Sequence, residues 1–195
     1  MPGKIFVNYR RDDAAADSRG VRDGLAAKFG EQNVFIDVDD LKPGQRFDVE
    51  LAKALDACDV FVAIIGPRWM DLLRQRHVER EYDYVRAEIA AALQRGINTI
   101  PVLVGREGNM PRLPRPEELP EDLRVLAFHH KHDVTHERFR RDMADLIRAV
   151  EALRSRRIPG HGRTGRTWGP ATPAECVMAL LQSSASPMSS WTLTT

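Results

Sequence analysis

Two cysteines in 195 residues, Cys58 and Cys176, are too few and too widely spaced for a disulfide framework or a thiolate metal site. Long apolar runs are missing too. The longest, residues 60–66, falls well short of the roughly 20 residues that cross a bilayer. Met1-Pro-Gly-Lys leads into a strand pattern with no secretory hydrophobic region. The expectation is a cytoplasmic protein without a membrane span. Excess charge of one sign is also absent, since the formal net charge is +1. The segment after residue 155 holds four arginines (Arg156, Arg157, Arg163, Arg166) and one acid (Glu175), leaving 25 of the 29 basic and 27 of the 28 acidic residues before it. A near-neutral body lacks the basic face that phosphate-backbone binding requires, so no nucleic-acid partner is expected. Nucleotide-binding glycine motifs are lacking as well: the turn after the first strand pattern is Tyr9-Arg-Arg-Asp-Asp13, with neither Gly-x-Gly-x-x-Gly nor Gly-Lys-Ser/Thr.

What the chain does contain is an alternation of short β-branched runs with amphipathic segments, the pattern of a parallel sheet with crossover helices. Residues 4–9, 34–38, 60–65 and 98–104 read as strands apolar on both faces. Helices are expected over residues 18–29, 47–57 and 136–153, the last with Thr135 as N-cap. The four prolines between residues 111 and 120 exclude a helix interior and predict an irregular loop, and a fifth strand is placed at residues 125–130. The organisation read from this is one domain over residues 1–154 and a low-complexity, disordered tail over residues 155–195.

The stretch richest in chemistry is Asp83-Tyr-Val-Arg-Ala-Glu88-Ile-Ala-Ala-Ala-Leu93, closing at Gly96. Val85, Ile89, Ala92 and Leu93 form the buried stripe of a helix and Glu88 sits beside it, one turn after Tyr84. Neither Lys nor Arg stands three or four residues from Glu88, so the commonest support of a solvated helical glutamate is missing. A carboxylate bordering a core and a plain surface glutamate remain the two readings of this local pattern.

Four motifs then combine: Ile5-Phe-Val-Asn-Tyr-Arg-Arg-Asp12, Val34-Phe-Ile-Asp-Val-Asp-Asp-Leu-Lys-Pro-Gly44, Asp59-Val-Phe-Val-Ala-Ile-Ile-Gly-Pro-Arg-Trp69 and the Glu88 helix. In this order, over residues 3–153, they resemble a TIR (Toll/interleukin-1 receptor homology) domain in its bacterial form, and in particular the TIR domains that cleave NAD+. The resemblance implies an α/β, flavodoxin-like, three-layer fold with five parallel strands flanked by helices. It makes Glu88 the catalytic residue and NAD+ the substrate, with no cofactor. It places Tyr9, Arg10, Arg11, Asp37, Phe47, Trp69 and Tyr84 around that substrate. It also makes residues 38–46, with Asp39, Asp40, Leu41, Pro43 and Gly44, a loop for contacts with other TIR domains.

Each assignment has a plainer counterpart. Residues 38–46 also read as a βα turn built on Pro43-Gly44, Arg10 and Arg11 as a solvated pair balanced by Asp12 and Asp13, Asp37 as a turn acid, and Phe47, Trp69 and Tyr84 as packing. His129, His130 and His132 match no zinc spacing, and no metal site is expected. Two departures from the family pattern stand out: Asn8 where Ser is common, and Phe139-Arg140 in place of the Phe-Trp of receptor-type members. Neither is expected to touch Glu88. A response-regulator receiver is excluded because the third strand ends in Gly66-Pro67 where a phospho-acceptor Asp is required. Two functions remain: an NAD+ nucleosidase activated by self-association, and a non-catalytic scaffold that pairs with other TIR domains.

Overall fold

The computed structural model describes residues 3–36 and 47–155. The expectations for Asp37, for the loop at residues 38–46 and for the tail beyond residue 155 fall outside the described residues. Five parallel strands form one sheet in the order β2-β1-β3-β4-β5: β1 (Lys4–Asn8), β2 (Val34–Ile36), β3 (Cys58–Ile65), β4 (Asn98–Gly105) and β5 (His132–Thr135). The pairing runs through Ile5 opposite Val34 and Val60, Val62 opposite Ile100, and Val104 opposite Val134. Near-continuous Val and Ile suits strands covered on both faces, because every side chain of such a strand leaves water.

Alternate residues feed two cores. Ile5, Val7, Val60, Val62, Ile64, Val102, Val104 and Val134 join Val21 and Leu25 of α1 (Arg11–Phe29) and Met143, Leu146 and Val150 of α5 (Phe139–Ser155). The opposite face carries Phe6 and Phe61, whose rings stack at 5.1 Å. It is covered by α4 (Tyr84–Gln94), which contacts β1, β4 and α2 (Phe47–Asp56). The helix α3 (Trp69–Glu79) follows β3 directly. Only Trp69, Leu72 and Leu73 of α3 are buried, so its apolar pattern is confined to one turn and shows no helical period in the sequence.

Three other expectations are corrected. The fifth strand lies at His132–Thr135, whereas residues 125–130 fall mostly within a 3-10 helix, Glu121–Phe128. Pro120 precedes this helix, and its buried Leu123 and Leu126 stand three residues apart, the period of a 3-10 turn, while Val125 and Phe128 point out. The first helix begins at Arg11 rather than at residue 18 and is kinked after its first turn at Ala14 (φ −134°, ψ 33°). Asp12 and Asp13 supply acidic residues to that first turn, which the search for apolar spacing overlooked. Thr135 caps no helix end, since α5 starts at Phe139, although its hydroxyl accepts from the Arg138 N–H at 3.3 Å. Cys58 opens β3, and burial pushes its thiol up to about 12, away from the thiolate form.

Thr135 has a second role. Its N–H and hydroxyl both donate to Asp142 Oδ2, at 2.9 and 2.8 Å, tying β5 to α5. Burial raises the Asp142 carboxyl, but these donors, together with the nearby charges of Arg138 and His132, offset it and hold the group below its ordinary 3.8. A carboxyl depressed on folding contributes stability that is complete above its ordinary pKa and is lost as pH falls through the folded value. Thr135→Val removes one donor to a charged acceptor, a change of about 1.5–3 kcal/mol. The acid-unfolding midpoint, followed by circular dichroism, is expected to move to higher pH, with a much smaller effect of the charge on Asp142 in the variant.

Candidate functional site

In a 2-1-3-4-5 sheet the chain reverses direction between β1 and β3, and ligands of open α/β sheets bind beyond the carboxyl ends of the strands at that switch point. The residues gathered there come from the end of β1, the turn after β3 and the start of α4. Asn8 is the last residue of β1, paired in register with Ala63 of β3, and is fully buried. Its Nδ2 donates to Glu88 Oε2 at 2.6 Å and, at 3.4 Å, to the Val85 carbonyl. Glu88 is itself 0% exposed.

Glu88 is enclosed because α4 is covered on two sides. Residues 87–92 are all buried, against the sheet on one side and against the 3-10 helix Glu121–Phe128 on the other. Arg86 clamps that second contact, reaching both oxygens of Asp122 at 3.0–3.2 Å. The start of α4 is fixed by Asp83, whose Oδ1 accepts from the Arg86 N–H at 3.1 Å as an N-cap. The helix is followed by Gly96 at φ +63°, a left-handed conformation that glycine adopts without strain.

Asp83 also binds Arg10 in a two-pronged pair, Nη1 to Oδ1 at 3.0 Å and Nη2 to Oδ2 at 2.5 Å, with side-chain exposures of 4% for Arg10 and 8% for Asp83. The guanidinium carbon lies 5.4 Å from the centroid of the Trp69 ring. A planar, delocalised cation sandwiched in this way loses less on leaving water than an ammonium does. Asp13 holds the turn after β3, accepting from the N–H groups of Gly66 (2.9 Å) and Arg68 (2.8 Å). Burial raises the Asp13 carboxyl, partly countered by those two donors. A Cβ on Gly66 would sit 2.5 Å from Asp13 Oδ2, so a larger residue there would displace the carboxylate from its two donors.

The structure therefore brings together Glu88, Arg10 and Trp69 of the predicted set. The direct partner of Arg10 is Asp83, at the start of α4, while Asp13 feels the Arg10 charge without a hydrogen bond to it. Trp69 is fully buried beneath Arg10, the packing arrangement rather than an open face for a base. Tyr9 packs on the α1/α5 core, on the other side of the sheet from Asn8, and Arg11 is exposed at the start of α1. Tyr84 is 52% exposed and meets Tyr82 edge-on at 4.6 Å. Phe47 opens α2. Among the described residues no group of His, Cys, Asp and Glu is arranged to hold a metal ion, and no helix is long and apolar enough to cross a membrane.

Sequence reasoning missed Asp83 as the partner of Arg10 and missed Asn8 as the donor to Glu88. The departure from Ser at residue 8, expected to leave Glu88 alone, is in direct contact with it.

A doubly wound α/β domain with a buried acid–amide pair and an arginine clamp at its switch point is the class defined by this geometry. The sequence matches the TIR domain family over residues 5–145, and the chain belongs to that family. Over 123 residues it is 32% identical to the NAD(+) hydrolase sarm1 of Drosophila melanogaster, a stretch covering 63% of this chain and only 8% of that protein. Two solved structures resemble it at 16% identity. One is a metazoan TIR-STING receptor from C. gigas in complex with 2',3'-cGAMP (76% of this chain, 39% of that chain, TM-score 0.47). The other comprises the TIR domains of the activated Roq1 resistosome directly recognising the pathogen effector XopQ (92% and 98%, TM-score 0.43).

Breaking a buried ion pair by removing one partner leaves the other charge uncompensated, at about 3–5 kcal/mol. Asp83→Ala also removes the N-cap of α4, a loss of about 1 kcal/mol. Asp83→Asn keeps an acceptor for the Arg86 N–H but not the charge facing Arg10. Urea unfolding is expected to rank the proteins wild type, Asp83→Asn, Asp83→Ala, with the larger step between the first two. Equal stability of wild type and Asp83→Asn would mean that the Arg10–Asp83 charge pairing contributes nothing to the fold.

Proposed function

We propose that this protein is a TIR-domain NAD+ nucleosidase of the cytoplasm, releasing nicotinamide in signalling or defence, with Glu88 as its catalytic carboxylate and self-association as its activating step. The observation that carries the reading is a fully enclosed carboxylate held at the carboxyl edge of the sheet, where open α/β folds receive ligands. Family membership and the 32% identity to an NAD(+) hydrolase support it.

The chemistry asks little of the protein beyond negative charge. The bond between the ribose anomeric carbon and the pyridinium nitrogen breaks with both electrons going to nitrogen, so nicotinamide departs neutral and needs no general acid. The anomeric carbon becomes oxocarbenium-like and is captured by water, which releases a proton and leaves ADP-ribose. Glu88 stabilises that developing cation by its charge, by accepting from ribose hydroxyls, or by forming a transient ester, as glycosidase carboxylates do. One acid is sufficient for each of these. Arg10 provides a forked donor for the pyrophosphate once it exchanges Asp83 for the ligand.

Glu88, Arg10 and Trp69 are all enclosed, so the reaction needs an opening step, and pairing with neighbouring TIR domains through residues 38–46 is assigned that task. The same enclosure favours a second reading, in which these groups form a purely structural polar core and the protein is a non-catalytic scaffold for other TIR domains. Purified protein incubated with NAD+, with and without a crowding surface that promotes assembly, separates the two. The enzyme reading expects nicotinamide release that rises on assembly. It expects release to fall about a hundredfold or more in Glu88→Gln, the usual loss when one preorganised electrostatic group is removed. Assembly without any release would favour the scaffold, and equal release from Glu88→Gln would remove Glu88 from the reaction.

A further inference from the structure

We infer that Asn8 is a positioning residue for Glu88: from the last place in β1 its side-chain amide grips α4 one turn apart, at the Val85 carbonyl and at the Glu88 carboxylate, and sets the direction of that carboxylate. The inference rests on the reading of Glu88 as the reacting group.

Three observations carry it. The first is geometric. Asn8 Nδ2 has two hydrogens, and the structure gives it two acceptors on successive turns of α4, at 2.6 Å and 3.4 Å. One residue of the sheet thus fixes both the rotation of the helix and the carboxylate it carries. The second is chemical. The contact runs from Nδ2 to Oε2 at 2.6 Å; in the ionised form, which the proposed reaction requires, the carboxylate only accepts, and the bond then belongs to the strong, charge-assisted class. An amide neither gains nor loses a proton near neutral pH, so it holds the carboxylate without cancelling its charge, as Arg or Lys would, and without repelling it, as Asp would. The third is energetic. Asn8 is 0% exposed and its Oδ1 has no hydrogen-bond partner among the described residues. Burying that acceptor costs about 1–3 kcal/mol, a penalty an apolar residue at the end of β1 would not incur. The contact made by Nδ2 is what the residue offers in return.

Serine, common at this place in the family, carries its donor one bond nearer the backbone. A hydroxyl has a single hydrogen and cannot span both acceptors. Asn8 is accordingly a feature of this chain, and it alters the group that meets Glu88 directly.

Two readouts test the inference, one of them independent of turnover. In the 15N-labelled protein, the Asn8 side-chain amide proton is expected well downfield of ordinary asparagine amides, and to move upfield in Glu88→Gln, which replaces the charged acceptor with a neutral one of the same shape. An Asn8 resonance that is ordinary in wild type and unmoved in Glu88→Gln overturns the inference, whether or not the protein cleaves NAD+. In assembled protein, Asn8→Ala is expected to lower kcat about ten- to a hundredfold, the scale of misplacing a reacting group by about 1 Å, with KM little changed. Asn8→Ser, which keeps one donor, is expected to recover part of that loss. If Asn8→Ala fails to fold, Asn8→Ser alone decides: a reduced kcat at unchanged KM supports the assignment, and a raised KM at unchanged kcat overturns it. Absence of nicotinamide release from wild type would defeat the enzyme reading, while the amide resonance would still decide whether Asn8 holds Glu88.

Discussion

A carboxylate with no exposed surface has to be held by dipoles and charges of the protein itself, and in this domain the hydrogen bond from Asn8 to Glu88 is the contact around which the carboxyl edge of the sheet is organised. It can form only if α4 lies flat against β1 with its second turn opposite the end of the strand. That placement needs the N-terminus of the helix to be pinned, and Asp83 pins it twice, as N-cap and as counter-ion of Arg10. It also needs a cover on the outer side of α4, which the Arg86–Asp122 clamp brings down. Removing any of these would leave a buried charge without its support, a larger penalty than the bond itself contributes.

The parts of this arrangement that were legible in the sequence are those encoded by short-range pattern. Continuous Val and Ile runs identified four strands and the spacing of Val85, Ile89, Ala92 and Leu93 identified α4, while the missing Lys or Arg around Glu88 left a core-edge carboxylate and a surface glutamate both open until burial separated them. The parts that were not legible depend on contacts across 73 and 80 residues, Arg10 to Asp83 and Asn8 to Glu88. No local period reports them. Arg10 looked balanced by its neighbours Asp12 and Asp13 because adjacency in sequence is the only proximity a sequence displays. The displacement of the fifth strand has a different origin. Val125, Leu126 and Phe128 have strand-like composition, but Pro120 and the acidic pair that follows it favour a helical start, and the 3-10 period then turns Val125 and Phe128 outward.

Polar burial in this protein is not spread evenly. Of the seven buried polar or charged residues among those described, Asn8, Arg10 and Glu88 gather at one edge of the sheet beside the switch point, and Thr135 and Asp142 form a separate tie between β5 and α5. The second pair is fully explained as a strut: two donors meet one carboxylate oxygen and lock a strand to the helix that follows. The first group lies where open α/β sheets receive ligands, the placement on which the proposed function rests. Local rules that are broken in a cluster, at a place where the topology receives ligands, mark function more reliably than any single motif.

The chain of contacts also bears on how such a site would open. Arg10, Asp83, Arg86 and Glu88 are linked through one helix: Arg10 holds its cap, Arg86 holds its outer cover, and Glu88 lies five residues from the cap on the same turns. A phosphate group that draws Arg10 away from Asp83 exchanges one anionic partner for another, so the charge on Arg10 stays compensated while Asp83 loses its clamp. The N-cap bond to Arg86 survives that exchange, since it uses the Asp83 oxygen and the helix backbone alone. The cap can therefore part from Arg10 without unwinding the helix, and Asn8, bonded to the Val85 carbonyl and to Glu88, becomes the contact that keeps Glu88 in place while the entrance changes around it.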